Sequence, residues 1–141
     1  MIKRLLNISE RVNLAIHALG YIAAYENNTS VKRMAKALPV SETYLAKVLQ
    51  ELVKGGFVKS KRGARGGHYL VKDPKNISAY DVMIRLEGPF SSDSCVFLHS
   101  YCSAKDCAFH ELADEVRTLM EQSLRKITVA DMMKEYQKRI D

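Results

Sequence analysis

Val40-Ser41-Glu42-Thr43-Tyr44-Leu45-Ala46-Lys47-Val48-Leu49-Gln50-Glu51-Leu52-Val53-Lys54-Gly55-Gly56 is the stretch that decides the fold. Leu45, Val48, Leu49 and Leu52 recur at helical spacing, which predicts a helix over Glu42–Lys54 with one buried stripe. Ser41 suits its N-cap, because a serine oxygen accepts from an orphan amide of the first turn. Gly55-Gly56 stops it. Upstream, Val31 to Leu38 forms a shorter segment with Met34, Ala35 and Leu38 on one face, and Pro39 ends it. A short helix, a tight turn and a longer helix in about 25 residues is helix-turn-helix grammar.

Before this unit, Val12, Ala15, Ile16, Leu19, Ile22 and Ala23 predict a helix from about Ser9 to Tyr25, stopped by Asn27-Asn28-Thr29-Ser30. After it, Phe57-Val58-Lys59-Ser60 and Tyr69-Leu70-Val71 read as two short strands around the glycine-rich Lys61-Arg62-Gly63-Ala64-Arg65-Gly66-Gly67-His68. A hairpin directly after a helix-turn-helix is a winged helix. Ser78 caps a further helix to about Glu87, ended by Gly88-Pro89. Residues 88–109 carry all three cysteines and no helical period, so a loop is expected there. A long helix from about Phe109 to Lys126 follows, with an apolar stripe through Leu112, Val116, Leu119 and Met120. Thr128 and Asp131 form a capping box for a last short helix. The expected fold is mainly α with a small β-hairpin wing: a winged helix-turn-helix over residues 1–87, a cysteine loop over 88–109, and a dimerisation helix plus C-terminal helix over 110–141. The long helix has little left to pack on within the chain, so a second copy of itself is its natural partner.

Charge is split along the chain. Residues 1–75 hold 14 Lys/Arg and 5 Asp/Glu, a balance of +9, whereas residues 76–141 hold 8 and 11, a balance of −3. A basic front half points to a polyanion partner. With the leucine stripe buried, Thr43, Lys47, Gln50 and Lys54 face outward and Tyr44 flanks them, a surface that can meet base edges and phosphates in a major groove. Ser41 sits at the entry of that helix. Lys59, Lys61, Arg62, Arg65 and His68 put positive charge on the wing, whose narrow tip can track phosphates or enter a minor groove. No Lys-Ser/Thr pair follows the glycines, which excludes a Walker phosphate loop. Val12–Tyr25, the longest early stretch without Asp, Glu, Lys or Arg, has 14 residues. That falls short of the roughly 20 a membrane span needs, and Glu10 and Arg11 interrupt any signal-peptide core. No membrane partner and a cytoplasmic location are expected.

The cysteines are spaced Cys95-x6-Cys102-x4-Cys107, with His110 three residues on. An odd count packed into a cytoplasmic loop is poor material for structural disulfides. Thiolates suit zinc or an iron–sulfur cluster, with His110, or alternatively His99, as a nitrogen ligand. Ligand chemistry alone does not separate zinc from iron, and free redox-active thiols are a third possibility. A Cys–His pair can also make a nucleophile and base, but three cysteines in one loop beside a DNA-binding module argue against an enzyme. His17 on the first helix reads as a structural residue.

The chain resembles the Rrf-two family of bacterial winged-helix regulators, in its iron–sulfur branch of IscR and NsrR type. The resemblance runs through Leu14-Ala15-Ile16-His17-Ala18-Leu19, the stretch from Val40 to Leu49, and the wing's Arg62-Gly63-x-x-Gly66-Gly67-x-x-Leu70. It continues through the cysteine loop and Ile127-Thr128-Val129-Ala130-Asp131. It implies a homodimer on a palindromic double-stranded DNA operator, and a cluster in the loop that controls DNA affinity. It implies Cys95, Cys102 and Cys107 as ligands, with His110 as the fourth. Asn13 stands where NsrR-type members offer a partner aspartate, which favours a 2Fe–2S cluster on three cysteines and one histidine. A nitric-oxide-sensing 4Fe–4S protein is the alternative within the branch, and a zinc or thiol regulator the alternative outside it. Fold analogy favours repression over activation.

Overall fold

The computed structural model describes residues 8–26, 29–90 and 107–139. The element order is α1 (Glu10–Ala24), α2 (Val31–Ala37), α3 (Glu42–Lys54), β1 (Val58–Lys61), β2 (Gly67–Leu70), α4 (Ala79–Glu87), α5 (His110–Lys126) and α6 (Val129–Gln137). A single 3₁₀ turn, Pro74–Asn76, joins the hairpin to α4. Each of the first three helices starts at a serine whose oxygen accepts a first-turn amide: Ser9 from Val12, Ser30 from Arg33, and Ser41 from Tyr44. Side-chain caps of this kind stabilise a helix by about 1 kcal/mol each, and they fix where the chain turns.

The main core lies between α1, α2, α3 and the base of the hairpin. Leu19, Met34, Leu45 and Leu52 are fully enclosed in it. The leucine stripe of α3 faces inward as its spacing predicts. The final helix joins this core too: Val129 and Tyr136 of α6 are buried against α1. The helices meet so closely that a Cβ on Gly20 would sit 2.7 Å from the Met132 Cβ. Sequence grouping put α6 with α5, because periodicity carries no information about which distant helix receives a stripe.

Two capping boxes lie side by side. Asp81 Oδ2 accepts from the Ser78 amide and hydroxyl at 3.1 and 2.7 Å, and Asp131 Oδ2 accepts from those of Thr128 at 2.9 and 3.0 Å. Between them the Ala79 amide donates to the Ile127 carbonyl (2.8 Å), and the Val129 amide to the Ile77 carbonyl (2.9 Å). The starts of α4 and α6 are thus clipped together by a one-residue antiparallel bridge, Ser78 to Thr128.

α5 behaves differently from the rest. Only Leu124, near its end, is buried. Phe109, Leu112, Val116 and Leu119 are exposed, Leu119 to 65%. The apolar stripe read from the sequence is present and faces outward. No helix among the described residues is long and apolar enough to cross a membrane.

Candidate nucleic-acid interface

α3 divides cleanly. Leu45, Val48, Leu49 and Leu52 are buried, while Ser41, Thr43, Lys47, Gln50 and Lys54 are exposed. Tyr44 is half-buried and packs on the core edge. Ser41 is occupied as the N-cap, its oxygen 3.1 Å from the Tyr44 amide. Residues spaced along one outward face by helical geometry present two amines, a hydroxyl and a carboxamide. That is the inventory that meets phosphates and base edges.

The hairpin pairs Val58 with Leu70, Lys59 with Tyr69, Ser60 with His68 and Lys61 with Gly67, which leaves Arg62–Gly66 as the tip. Sequence placed both strands one or two residues off, because glycine-rich ends carry no alternation. The tip is built to be narrow. Gly63 has φ of +112°, and a Cβ on Gly66 would lie 2.5 Å from the Lys61 carbonyl oxygen. The Tyr69 hydroxyl donates to the Arg65 carbonyl at 3.1 Å and steadies the turn. Lys59, Lys61, Arg62 and Arg65 are all exposed.

His68, expected among the DNA-contacting residues, is also tied to Thr29. Its amide donates to Thr29 Oγ1 at 2.8 Å, the Thr29 hydroxyl donates back to its carbonyl at 2.7 Å, and its Nδ1 lies 3.4 Å from the Thr29 carbonyl. The imidazole is half-buried, and burial holds it below the usual histidine range, offset in part by the hydrogen bond with Thr29. These bonds anchor the wing to the α1–α2 junction, and the ring shares a hollow with Gln50 and Lys54 of α3. Thr29, buried and bonded to both main-chain polar groups of His68, went unrecognised from sequence, where it reads as loop punctuation. The signal was available only in Gly67, whose Cβ would lie 2.5 Å from Thr29 Oγ1.

Of the cysteine loop, Cys95 and Cys102 lie outside the described residues, as does His99. Cys107 is a half-buried free thiol immediately before α5. His110 is the first residue of α5, and its amide donates to the Cys107 carbonyl at 3.0 Å, which places the two residues on one turn. His110 Nε2 lies 3.4 Å from Asp114 Oδ2, and Arg117 closes on the other oxygen of that carboxylate at 2.6 Å. Among the described residues no group of three metal-ligating side chains is assembled.

A family model described as an iron-dependent transcriptional regulator, Rrf2, matches residues 8–135. The chain belongs to the Rrf2 family. As in that family generally, it is a winged-helix, DNA-binding transcriptional regulator and not an enzyme. Among curated Rrf2-type relatives, CymR of Bacillus subtilis is 34% identical over 107 residues, covering 76% of this chain and 73% of the relative. The solved structure of B. subtilis CymR, called the global cysteine regulator, superposes with a TM-score of 0.78 at 31% identity, covering 93% of this chain and 98% of that one. IscR of T. potens superposes with a TM-score of 0.73 at 27% identity, covering 96% and 91%. The Rrf2 family match spans both the wing and α5.

Proposed function

We propose that this Rrf2 regulator represses transcription as a homodimer on a palindromic operator in the cytoplasm, and that an iron–sulfur cluster in the cysteine loop sets its DNA affinity. The observation that carries the reading is that one helix holds both halves of such a switch. α5 begins at His110, bonded to the Cys107 carbonyl just before it, and continues as an exposed apolar stripe suited to a second copy of itself.

The residues present fit the group. Cys107 offers a free thiol, and His110 offers Nδ1 while Asp114 engages its Nε2. A ligating histidine held by a carboxylate through its second nitrogen is a common arrangement at metal centres. Cys95, Cys102 and Cys107 with His110 would hold the cluster, 2Fe–2S by that donor set and 4Fe–4S if His110 is replaced by a ligand from elsewhere. When bound, the cluster supplies a centre that can be oxidised, nitrosylated or lost.

The chain's own residues convert that event into geometry. Cys107 and His110 fix the start of α5, and the Ser78–Thr128 bridge fixes its return. In a dimer, the setting of α5 fixes the separation of two α3 helices and two wings. Half-site spacing on DNA is a geometric demand, so a small change in that separation changes affinity. Cluster and operator must then affect each other reciprocally.

The test is the visible spectrum of protein purified without oxygen, with iron and sulfide assayed on the same sample. Charge-transfer bands with matched iron and sulfide, absent from Cys102→Ala, are the expected result. A protein that stays colourless after reconstitution with iron and sulfide refutes the cluster and leaves the cysteines as a zinc site or a thiol switch.

A further inference from the structure

A pocket of about 370 Å³ opens between α1, α6 and the α2–α3 turn. It has the size of a small-molecule site. Glu10, Asn13 and His17 line it from α1, spaced so that they share one helical face, and Tyr136 and Arg139 line it from the end of α6. Leu14, Leu38 and Val40 supply apolar wall.

The polar groups are organised and incompletely used. His17 Nδ1 and the Tyr136 hydroxyl are 2.8 Å apart, with the rings edge to face at 6.1 Å between centroids. When the hydroxyl donates to Nδ1, the imidazole carries its proton on Nε2, which is then a second donor. Burial, and then the nearby Arg139 charge, hold His17 below the usual histidine range, and burial raises the Tyr136 phenol. Both are neutral near pH 7. The Arg139 guanidinium lies 5.0 Å from the centre of the Tyr136 ring, and neither it nor Glu10 makes an ion pair among the described residues. One exposed cation, one exposed carboxylate and a neutral imidazole–phenol pair therefore converge on a partly apolar hollow.

We infer that this pocket binds a free α-amino acid with an apolar side chain as an effector. Its carboxylate pairs with Arg139, its ammonium with Glu10, and its side chain lies on Leu14, Leu38 and Val40. Charge-assisted bonds at both ends select the zwitterion over a simple acid or amine. The wall formed by Leu38 and Val40 is the turn that leads into α3, so occupancy is felt where the recognition helix is set. The coupling half of this inference rests on the DNA-binding reading, whereas the binding half does not.

The test uses the full-length protein and named probes: leucine, methionine and valine, with 4-methylvalerate and isoamylamine as one-charge controls for leucine. Calorimetry is expected to give a dissociation constant of order 0.1 mM for at least one amino acid, weakened about tenfold in Arg139→Gln and for both controls. Histidine ring NMR signals should shift on binding in the native protein and lose that shift in His17→Gln. Affinity for a duplex selected by the protein from a random-sequence pool should change about fivefold or more at saturation. No heat and no ring shift with any probe at about 10 mM, in a protein that still binds duplex, would overturn the site. Binding with unchanged duplex affinity overturns the coupling. Amino-acid binding by a protein that retains no duplex affinity even at low salt upholds the site and instead refutes the DNA reading.

Discussion

Arg62→Gln combined with Arg65→Gln tests the wing as a phosphate-contacting device. Each protomer exposes Lys47 and Lys54 on α3 and Lys59, Lys61, Arg62 and Arg65 on the wing. The proposed dimer would bring twice that number. If each cation neutralises one phosphate, the logarithm of the association constant falls against log salt with a slope of about −11 for the native protein. Removing the two tip arginines from both protomers brings the slope to about −7. Between roughly 50 and 200 mM salt, the native protein then loses about two decades more affinity than the variant. Glutamine keeps a long polar chain at an exposed turn, so the thermal midpoint should not move. Fluorescence anisotropy of a labelled duplex at four salt concentrations reads the slope directly. A variant whose slope matches the native one would refute the placement of the wing on phosphates. Gln50→Ala is the companion control: it should reduce discrimination between sequences and leave the slope unchanged.

Gly20→Ala should destabilise the fold by about 1–2 kcal/mol in denaturant titration. The helix-propensity gain of about 1 kcal/mol is outweighed by driving a methyl into the Met132 backbone and Cβ. A gain in stability would mean that α1 and α6 do not approach this closely. Leu119→Asp puts a charge on the most exposed residue of the α5 stripe, and sedimentation should show a folded monomer. A dimer that persists would place the interface elsewhere. Below the usual histidine value of 6.5, the unfolded chain binds protons that His17 and His68 resist in the fold, His17 through burial and Arg139, His68 through burial. Their contribution to stability is therefore complete above pH 6.5 and declines as pH falls through the lower native values. The denaturant midpoint should drop between about pH 7 and 5.5, and should drop less in a His17→Gln, His68→Gln double variant. An equal drop in both proteins would remove the two rings as the cause.

Local signals were legible where one segment carries its own answer. α3 runs over Glu42–Lys54 as predicted, because its stripe, its serine cap and its double glycine agree with one another. The same holds for Ser78 before α4 and Thr128 before α6. What escaped were relations between distant segments. Thr29 looks like a helix stop, yet it holds the wing; Gly20 looks like filler, yet it admits α6. His68 was counted by its charge, yet its main chain also ties the wing to Thr29. Of the proposed ligands, Cys107 and His110 fall on one turn, while Cys95 and Cys102 lie outside the described residues.

The paired amide–carbonyl bonds at Ser78 and Thr128 make residues 79–127 a closed excursion with a sealed neck. α6 returns through that neck to complete the core around α1. Among the described residues, the buried ones within the excursion lie near its two ends: Ala79, Val82 and Met83 at the start and Leu124 at the close. A body built this way tolerates exchange of what the excursion carries. Lengthening the cysteine-bearing segment, altering its ligands or cutting it leaves the two flanks held together by the same few bonds. The length of the segment between the flanks is therefore free to change while the core around α1 stays closed.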